Sequence, residues 1–247
     1  MRFYLTLFQY LIAGLLLTNN VSADSAQHNN PLITFSVGPD FIQQGRAQTL
    51  SLYPPFENDY TNKKNAATVI DGGIFVGIER GLTDKIRLQY GIAGYTDATL
   101  KPQGDVWLFD SPLFDTLAYQ YNVHHSRVVT EGKFLFDTHY SETLLPYFSW
   151  SLGAAFNKAS AYKETPMVAG AVPTQPFNSH TQTALTWGVG VGIEVLVSKH
   201  LRLGAGYQFA DFGSVSLGPT PAANTSQTLS FPHLYANQLR FQLSILK

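Results

Sequence analysis

The feature that most constrains this chain is a two-residue alternation between unlike faces. From Leu185 to Val197 the odd positions are Leu185, Trp187, Val189, Val191, Ile193, Val195 and Val197, and the even ones are Thr186, Gly188, Gly190, Gly192, Glu194 and Leu196. Successive side chains of a strand leave opposite faces, so a period of two is the period of a strand. Three residues later the rhythm resumes, with Leu201, Leu203, Ala205, Tyr207 and Phe209 opposite Arg202, Gly204, Gly206 and Gln208. One face is bulky and apolar, the other small or polar. A soluble sandwich could bury the bulky face. Several such strands, joined by alternating short and long connections behind an export signal, point instead to a transmembrane β-barrel.

Six further segments share the alternation: Leu32–Gly38, Thr68–Glu79, Lys85–Tyr95, about Tyr119–Phe136, Leu144–Phe156 and Leu234–Leu246. Phe75, Val129 and Leu135 break the pattern by sitting on the polar face. The connections 80–84, 137–143 and 198–200 are short, and 39–67, 96–118, 157–180 and 210–233 are long. The stretch Arg46–Tyr53 has an alternation of its own, suited to a hairpin above the membrane. Three short turns between four long loops match an eight-stranded antiparallel up-and-down barrel with both termini on the periplasmic side. The expected class is all-β, a closed wall around a filled polar lumen.

The N-terminus reads as a secretory signal over residues 1–23. Arg2 precedes the apolar stretch Phe3–Leu17, and Val21-Ser22-Ala23 forms a small-x-small cleavage site. Residues 24–247 are then the barrel domain. The apolar stretch is shorter than the ~20 residues a spanning helix needs. A mature chain that crosses a bilayer must therefore do so as a closed barrel, which satisfies the backbone in lipid. Only 13% of residues are charged, the net charge is −1 and Cys is absent. This suits a wall apolar at every second residue, and it gives no reason to expect nucleic acid as a partner.

An eight-stranded barrel has an interior just wide enough for side chains to fill. The charges on the polar faces are Asp71, Glu79, Arg87, Arg127, Glu131, Lys133, Glu194, Arg202 and Arg240, four acids against five bases. They should pair inside the lumen rather than line a pore, because isolated buried charges cost too much. Gly188, Gly190, Gly192, Gly204 and Gly206 should leave room for the long Arg and Glu side chains. Aromatics on the apolar faces, among them Tyr90, Trp150, Phe156, Trp187 and Tyr207, can form interfacial girdles.

The mature chain resembles the opacity-protein-like family of eight-stranded outer-membrane β-barrels of surface-antigen type. The segments that carry the resemblance are ITFSVGP, GDVWLFDSPLFDTLAYQY, FNSHTQTALTWGVGVGIE, LGAGYQFADFGSVSLG and LSFPHLYANQLRFQL. It implies an outer-membrane location reached through the periplasm, with outer-membrane lipid and the barrel assembly machinery as partners. Many such proteins end on an aromatic residue. This chain ends Ser244-Ile245-Leu246-Lys247, which leaves assembly recognition to Phe241, Leu243 and Ile245.

Candidate chemistry is sparse. His124 and Ser126 share a strand face, and a His–Ser pair with a carboxylate is the constellation of a lipid-modifying enzyme. Outer-membrane lipases resemble this in having a His-x-Ser on a barrel strand, but here the next residue is Arg127 rather than Asn, the pair lies in the fourth strand rather than near the C-terminus, and no carboxylate is assignable. His124 and His125 point to opposite faces and cannot ligate one ion. Asp137 and His139 share a face, but two ligands do not make a metal site. No catalytic, cofactor-binding or metal residue is assigned, and no cofactor is expected. The long loops carry Trp107, Phe109, Phe114, Phe177, Phe212 and Phe231. These either pack the loops on one another or form a contact surface for a host or envelope partner. The expectation is a monomeric, non-enzymatic surface protein with a structural, adhesion or antigenic role through four long extracellular loops. The alternatives are a narrow channel for small or apolar solutes and a lipid-modifying enzyme.

Overall fold

The computed structural model describes residues 29–43, 45, 47–53, 56–63, 66–138, 143–220 and 227–247. The expected signal and its cleavage site lie outside them. Eight long strands form the wall: β1 (Asn30–Gln43), β2 (Ala66–Thr83), β3 (Ile86–Asp97), β4 (Asp115–Phe136), β5 (Leu144–Pro166), β6 (His180–Ser198), β7 (Leu201–Asp211) and β8 (Tyr235–Leu246). Each pairs antiparallel with the next, and β8 pairs back onto β1, so the sheet closes.

The register fixes the shape. Partners run from Leu32 through Gly77, Gly91, Glu131, Ser151, Gly188, Ala210 and Ala236, and return to β1 at Ile42. One circuit thus advances 42 − 32 = 10 residues along β1. With about 3.3 Å per residue and about 4.8 Å between strands, that stagger tilts the strands by about 40°.

All eight strands read from the sequence are present, and several run further. β5 continues to Pro166 and β4 begins at Asp115. Above the membrane the outward positions become polar, as at Lys158, Lys163 and Thr165, so the apolar rhythm ends before the strand does. The four long connections gather at one end, and the short turns lie at the other.

Outward residues of the wall form an apolar belt that includes Ile33, Phe35, Val76, Ile92, Leu152, Val191, Leu203 and Phe241, all exposed. Their inward neighbours are buried or half-buried. Phe75, Val129 and Leu135 do face inward: Phe75 and Val129 pack with Leu32, Ala93, Tyr95 and Leu246, and Leu135 packs with Leu145 and Tyr147. The interior of the wall thus mixes small apolar clusters with charged residues, and a larger apolar core lies among the long loops.

Candidate functional site

The middle of the lumen holds a charge network. Arg202 binds Glu79 through two hydrogen bonds of 2.5 and 2.8 Å, and Gln89 donates to the same carboxylate at 2.9 Å. The Lys133 ammonium donates to Glu194 at 2.6 Å and to Gln242 Oε1 at 2.9 Å, and Arg202 lies 3.6 Å from Glu194. Arg127 and Arg240 converge on Asp71 at 3.0 and 3.5 Å. The Tyr95 hydroxyl donates to Glu131 at 2.6 Å, and the Arg127 and Arg240 guanidiniums lie over its ring. Glu79 and Lys133, at strand ends, are buried along with the rest. Only Arg87 is partly exposed, and it reaches Asp137 at 2.9 Å. Opposed charges thus share a buried interior in pairs, the arrangement that offsets desolvation.

Two inward carboxylates escape the sequence pattern. Asp40 and Asp97 are buried at the outer end of the lumen, where Gln238 Nε2 donates to Asp40 at 2.5 Å and the His125 amide donates to Asp97 at 2.9 Å. The inward glycines serve uncharged side chains as well as charged ones: Gly192 and Gly206 make room for Tyr147, and Gly188 for Gln208. A cavity ringed by Thr34, Gln89, Glu131 and Lys133 measures about 10 Å³, room for a single water at most. The lumen is filled.

The charged layer meets the loop core at His125, Arg127 and Phe212. Asn157 Nδ2 donates to the carbonyls of Phe212 and Ser214, which leaves Asn157 Oδ1 as the acceptor for His125 Nδ1 at 2.6 Å. His125 Nε2 is then free to accept from Arg127 Nη1 at 3.2 Å, so the ring is the neutral Nδ1–H tautomer, assigned from its partners. Phe212 stacks on that ring at 3.9 Å and also lies under the Arg127 guanidinium.

Above this junction the loops are built rather than draped. The strands Gln48–Tyr53 and Phe56–Tyr60 form the hairpin that the alternation after Arg46 suggests, with Arg46 itself outside the described residues. Phe56–Tyr60 pairs with Gln103–Leu108, which pairs with the outer end of β4. Tyr60, Tyr119, Tyr121, Tyr162, Phe177, Phe212 and Phe231 share one buried core with Leu100, Val106 and Leu117. Burial raises the Tyr119, Tyr121 and Tyr162 hydroxyls above the ordinary tyrosine range. Of the loop aromatics read from the sequence, Phe177, Phe212 and Phe231 pack inward, whereas Phe109 and Phe114 stay exposed at the tip. Phe109 sits edge-on between Phe56 and Phe114, at 5.3 and 5.7 Å. Its φ of 58° and the 50° of Asp110 are left-handed values that non-glycine residues seldom adopt.

A β-bulge creates the one polar feature of this tip that the alternation hides. Ala161 has φ 55°, and the β4–β5 register shifts by one residue beside it. Below the shift Asn157 and Ala159 face inward. Above it Tyr162 and Glu164 do. The added residue re-aims Glu164 into a cleft of about 200 Å³ walled by Phe56, Tyr60, Phe109, Leu117 and Val172. Its carboxylate accepts from the Tyr162 hydroxyl at 2.7 Å, the Thr174 amide at 2.6 Å and the Thr174 hydroxyl at 3.1 Å.

The remaining sequence candidates are separated. His124 and Ser126 lie on the outer face of β4, where His124 Nε2 is 3.3 Å from Thr96 Oγ1, while His125 is buried. Asp137 is held by Arg87, and His139 lies outside the described residues. A pair not read from the sequence is His233 with Asp211, Nδ1 to Oδ2 at 2.8 Å, stacked on Tyr235. Among the described residues no group of three or more His, Cys, Asp or Glu is placed to hold a metal ion.

No protein-family model matches the chain. It is 26% identical over 164 residues to the outer membrane protein PagN of Salmonella typhimurium, a match covering 65% of this chain and 64% of that protein. The chain thus spans less than two thirds of the curated relative it matches. Among solved structures it is similar to Neisserial surface protein A, at 12% identity and TM-score 0.45, over 89% of this chain and 99% of the other. It is also similar to OprG of Pseudomonas aeruginosa, at 11% identity and TM-score 0.46, over 90% and 99%. The closed wall with its apolar belt is that of an outer-membrane β-barrel, and the chain resides in the outer membrane of the Gram-negative envelope.

Proposed function

We propose that this outer-membrane barrel is an adhesion protein, a monomer whose wall anchors a rigid loop layer and whose loop tip contacts a host or envelope partner. The observation that carries the reading is the division of the loop aromatics. Seven buried aromatics hold the four loops together, and Phe56, Phe109, Leu113 and Phe114 remain exposed at their summit. An apolar group held out in water on a rigid support favours binding, since ordering it costs little further entropy.

The filled lumen supports a structural wall over a solute channel. His124 and Ser126 face outward on β4, and the His124 ring lies 3.3 Å from Thr96 Oγ1, which supports a binding surface over an esterase. Adhesion of expressing cells to epithelial monolayers tests the reading, with Phe56, Phe109, Leu113 and Phe114 changed together to Ser. Losing a cluster of apolar anchors should cut adhesion by about tenfold or more at equal surface display. Unchanged adhesion would overturn the proposal.

A further inference from the structure

The charges of the loop layer are segregated. No Lys or Arg occurs between Lys101 and Arg127, between Lys163 and Lys199, or between Arg202 and Arg240. The hairpin from Gln48 to Tyr60 has none either. These stretches nevertheless carry Glu57, Asp59, Asp110, Asp115 and Glu164, so the summit is apolar and acidic. The described bases of this layer are Lys63, Lys101, Lys158 and Lys163, and none of them lines the summit cleft: Lys63 pairs with Asp105 at 2.6 Å, Lys101 is exposed after Leu100, Lys158 sits low on β5 opposite His124, and Lys163 is exposed on the outward face of β5 opposite Gln120.

Within that summit the cleft beside Phe109 has an unusual floor. Glu164 is 5% exposed and held by three donors, all neutral. Among the described residues no cationic side chain forms an ion pair with it. The walls are aromatic and aliphatic, and Glu57 and Asp110 adjoin the rim residues Phe56 and Phe109. An apolar cavity of about 150 Å³ is enough to hold a benzene ring, so about 200 Å³ takes one long side chain. A Lys or Arg side chain matches both features. Its alkyl stem packs on apolar walls while its cationic head seeks a carboxylate and aromatic faces.

We infer that this cleft is a binding site for a Lys or Arg side chain presented by a basic, apolar polypeptide segment of the partner. The inference rests on the adhesion reading and names its partner chemistry. The bulge at Ala161 is what puts the carboxylate there, and the left-handed turn at Phe109 and Asp110 is what closes the wall. A sulfated glycan is the opposite chemistry and would be repelled by the same rim.

The test uses the mature barrel refolded in phosphatidylcholine vesicles, which carry no net lipid charge. A fluorescein-labelled peptide alternating Leu and Arg is titrated by anisotropy, beside a peptide with every Arg replaced by Gln, and beside labelled heparin. The Arg peptide should bind saturably and about tenfold more tightly than the Gln peptide, and added salt should weaken it. Glu164→Gln should weaken it about tenfold, the scale of one charge-assisted contact. That change also touches Thr174, so Val172→Trp provides a second arm. Val172 is exposed on the cleft wall, and an indole there fills the mouth without disturbing the core. Equal binding of the Arg and Gln peptides would overturn the proposal, as would binding untouched by Val172→Trp, or heparin binding in place of the peptide. Peptide binding that survives while cell adhesion is unaffected by the four-residue Ser change would refute the adhesion reading and leave the site standing.

Discussion

Neutralising Glu194 should damage the barrel more than removing its own partner. Glu194 is fully buried, 2.6 Å from the Lys133 ammonium and 3.6 Å from Arg202. At an effective dielectric near 20 the shorter contact is worth about 6 kcal/mol of attraction. Desolvation opposes it by several kcal/mol per ion, so the intact pair is close to break-even. Breaking it is another matter. In Glu194→Gln, Lys133 stays buried with neutral acceptors only, the amide oxygens of Gln242 and of the new side chain and the Tyr147 ring 4.5 Å away, while Arg202 keeps both its bonds to Glu79. Stranding a buried charge costs about 3–5 kcal/mol, and the surviving Gln242 bond puts the loss near 3. In Lys133→Met, Glu194 retains Arg202, so the loss should be smaller, about 2 kcal/mol. The double variant removes both charges and should recover most of the single losses. Reversible urea titration in phospholipid vesicles measures all four proteins, and the cycle should give a coupling of at least about 1.5 kcal/mol. Single losses that simply add, or a Lys133 variant worse than the Glu194 variant, would refute the pairing and its asymmetry.

Other expectations follow from the wall and the loop layer. Val191 faces lipid near mid-span, between Phe148 and Tyr207, so Val191→Arg should cost about 2–4 kcal/mol in bilayers and Val191→Leu almost nothing; the same titrations decide. An epitope inserted near Gly170 should be labelled on intact cells and one near Lys199 should not, and the reverse pattern would invert the topology. Phe212→Ala removes the ring that joins the loop core to His125 and Arg127. It should expose the loops to protease on whole cells while the barrel keeps its heat-dependent gel shift; loops that stay resistant would show that the junction is dispensable. In planar bilayers the purified barrel should give no stable conductance steps, since its lumen is closed by its own side chains.

The wall was legible because lipid enforces a rule. Each outward residue in the bilayer must be apolar and each backbone group paired, so strand, face and closure all leave a mark on the sequence. Inward charges were legible for the same reason, as polar residues opposite apolar ones. What the alternation did not mark is where that rule lapses. Asp40 follows Pro39 and looks like the start of a loop, yet β1 runs through both. Beyond Phe156 the outward face of β5 meets water, and Lys158 and Lys163 end the pattern although the strand continues. Phe212 and Phe231 sit among Pro, Ser and Asn, which hides their burial. Partnership was harder still. Glu194 on β6 finds Lys133 on β4, with β5 between them, because the contact crosses the lumen and depends on tilt and stagger rather than on neighbouring strands.

The bulge at Ala161 is the sharpest instance, and it links legibility to function. Register slips move a strand's whole residue set from one face to the other. Read with unbroken parity from Asn157, Tyr162 and Glu164 would face out and Lys163 in. The extra residue reverses this and places a carboxylate inside an aromatic cleft while returning Lys163 to solvent. Deleting Ala161 takes out the extra residue together with the bulge. Tyr121 then pairs with Tyr162, and plain alternation from Ala159 keeps Tyr162 and Glu164 inward and Lys163 outward. The deletion variant should therefore keep its affinity for the Arg peptide and its protease-resistant loops, and the membrane wall below Phe156 should keep its stability to urea in vesicles. A deletion variant that loses the peptide while its loops stay intact would show that strand parity does not set the face of Glu164, and the argument for the cleft would fall with it.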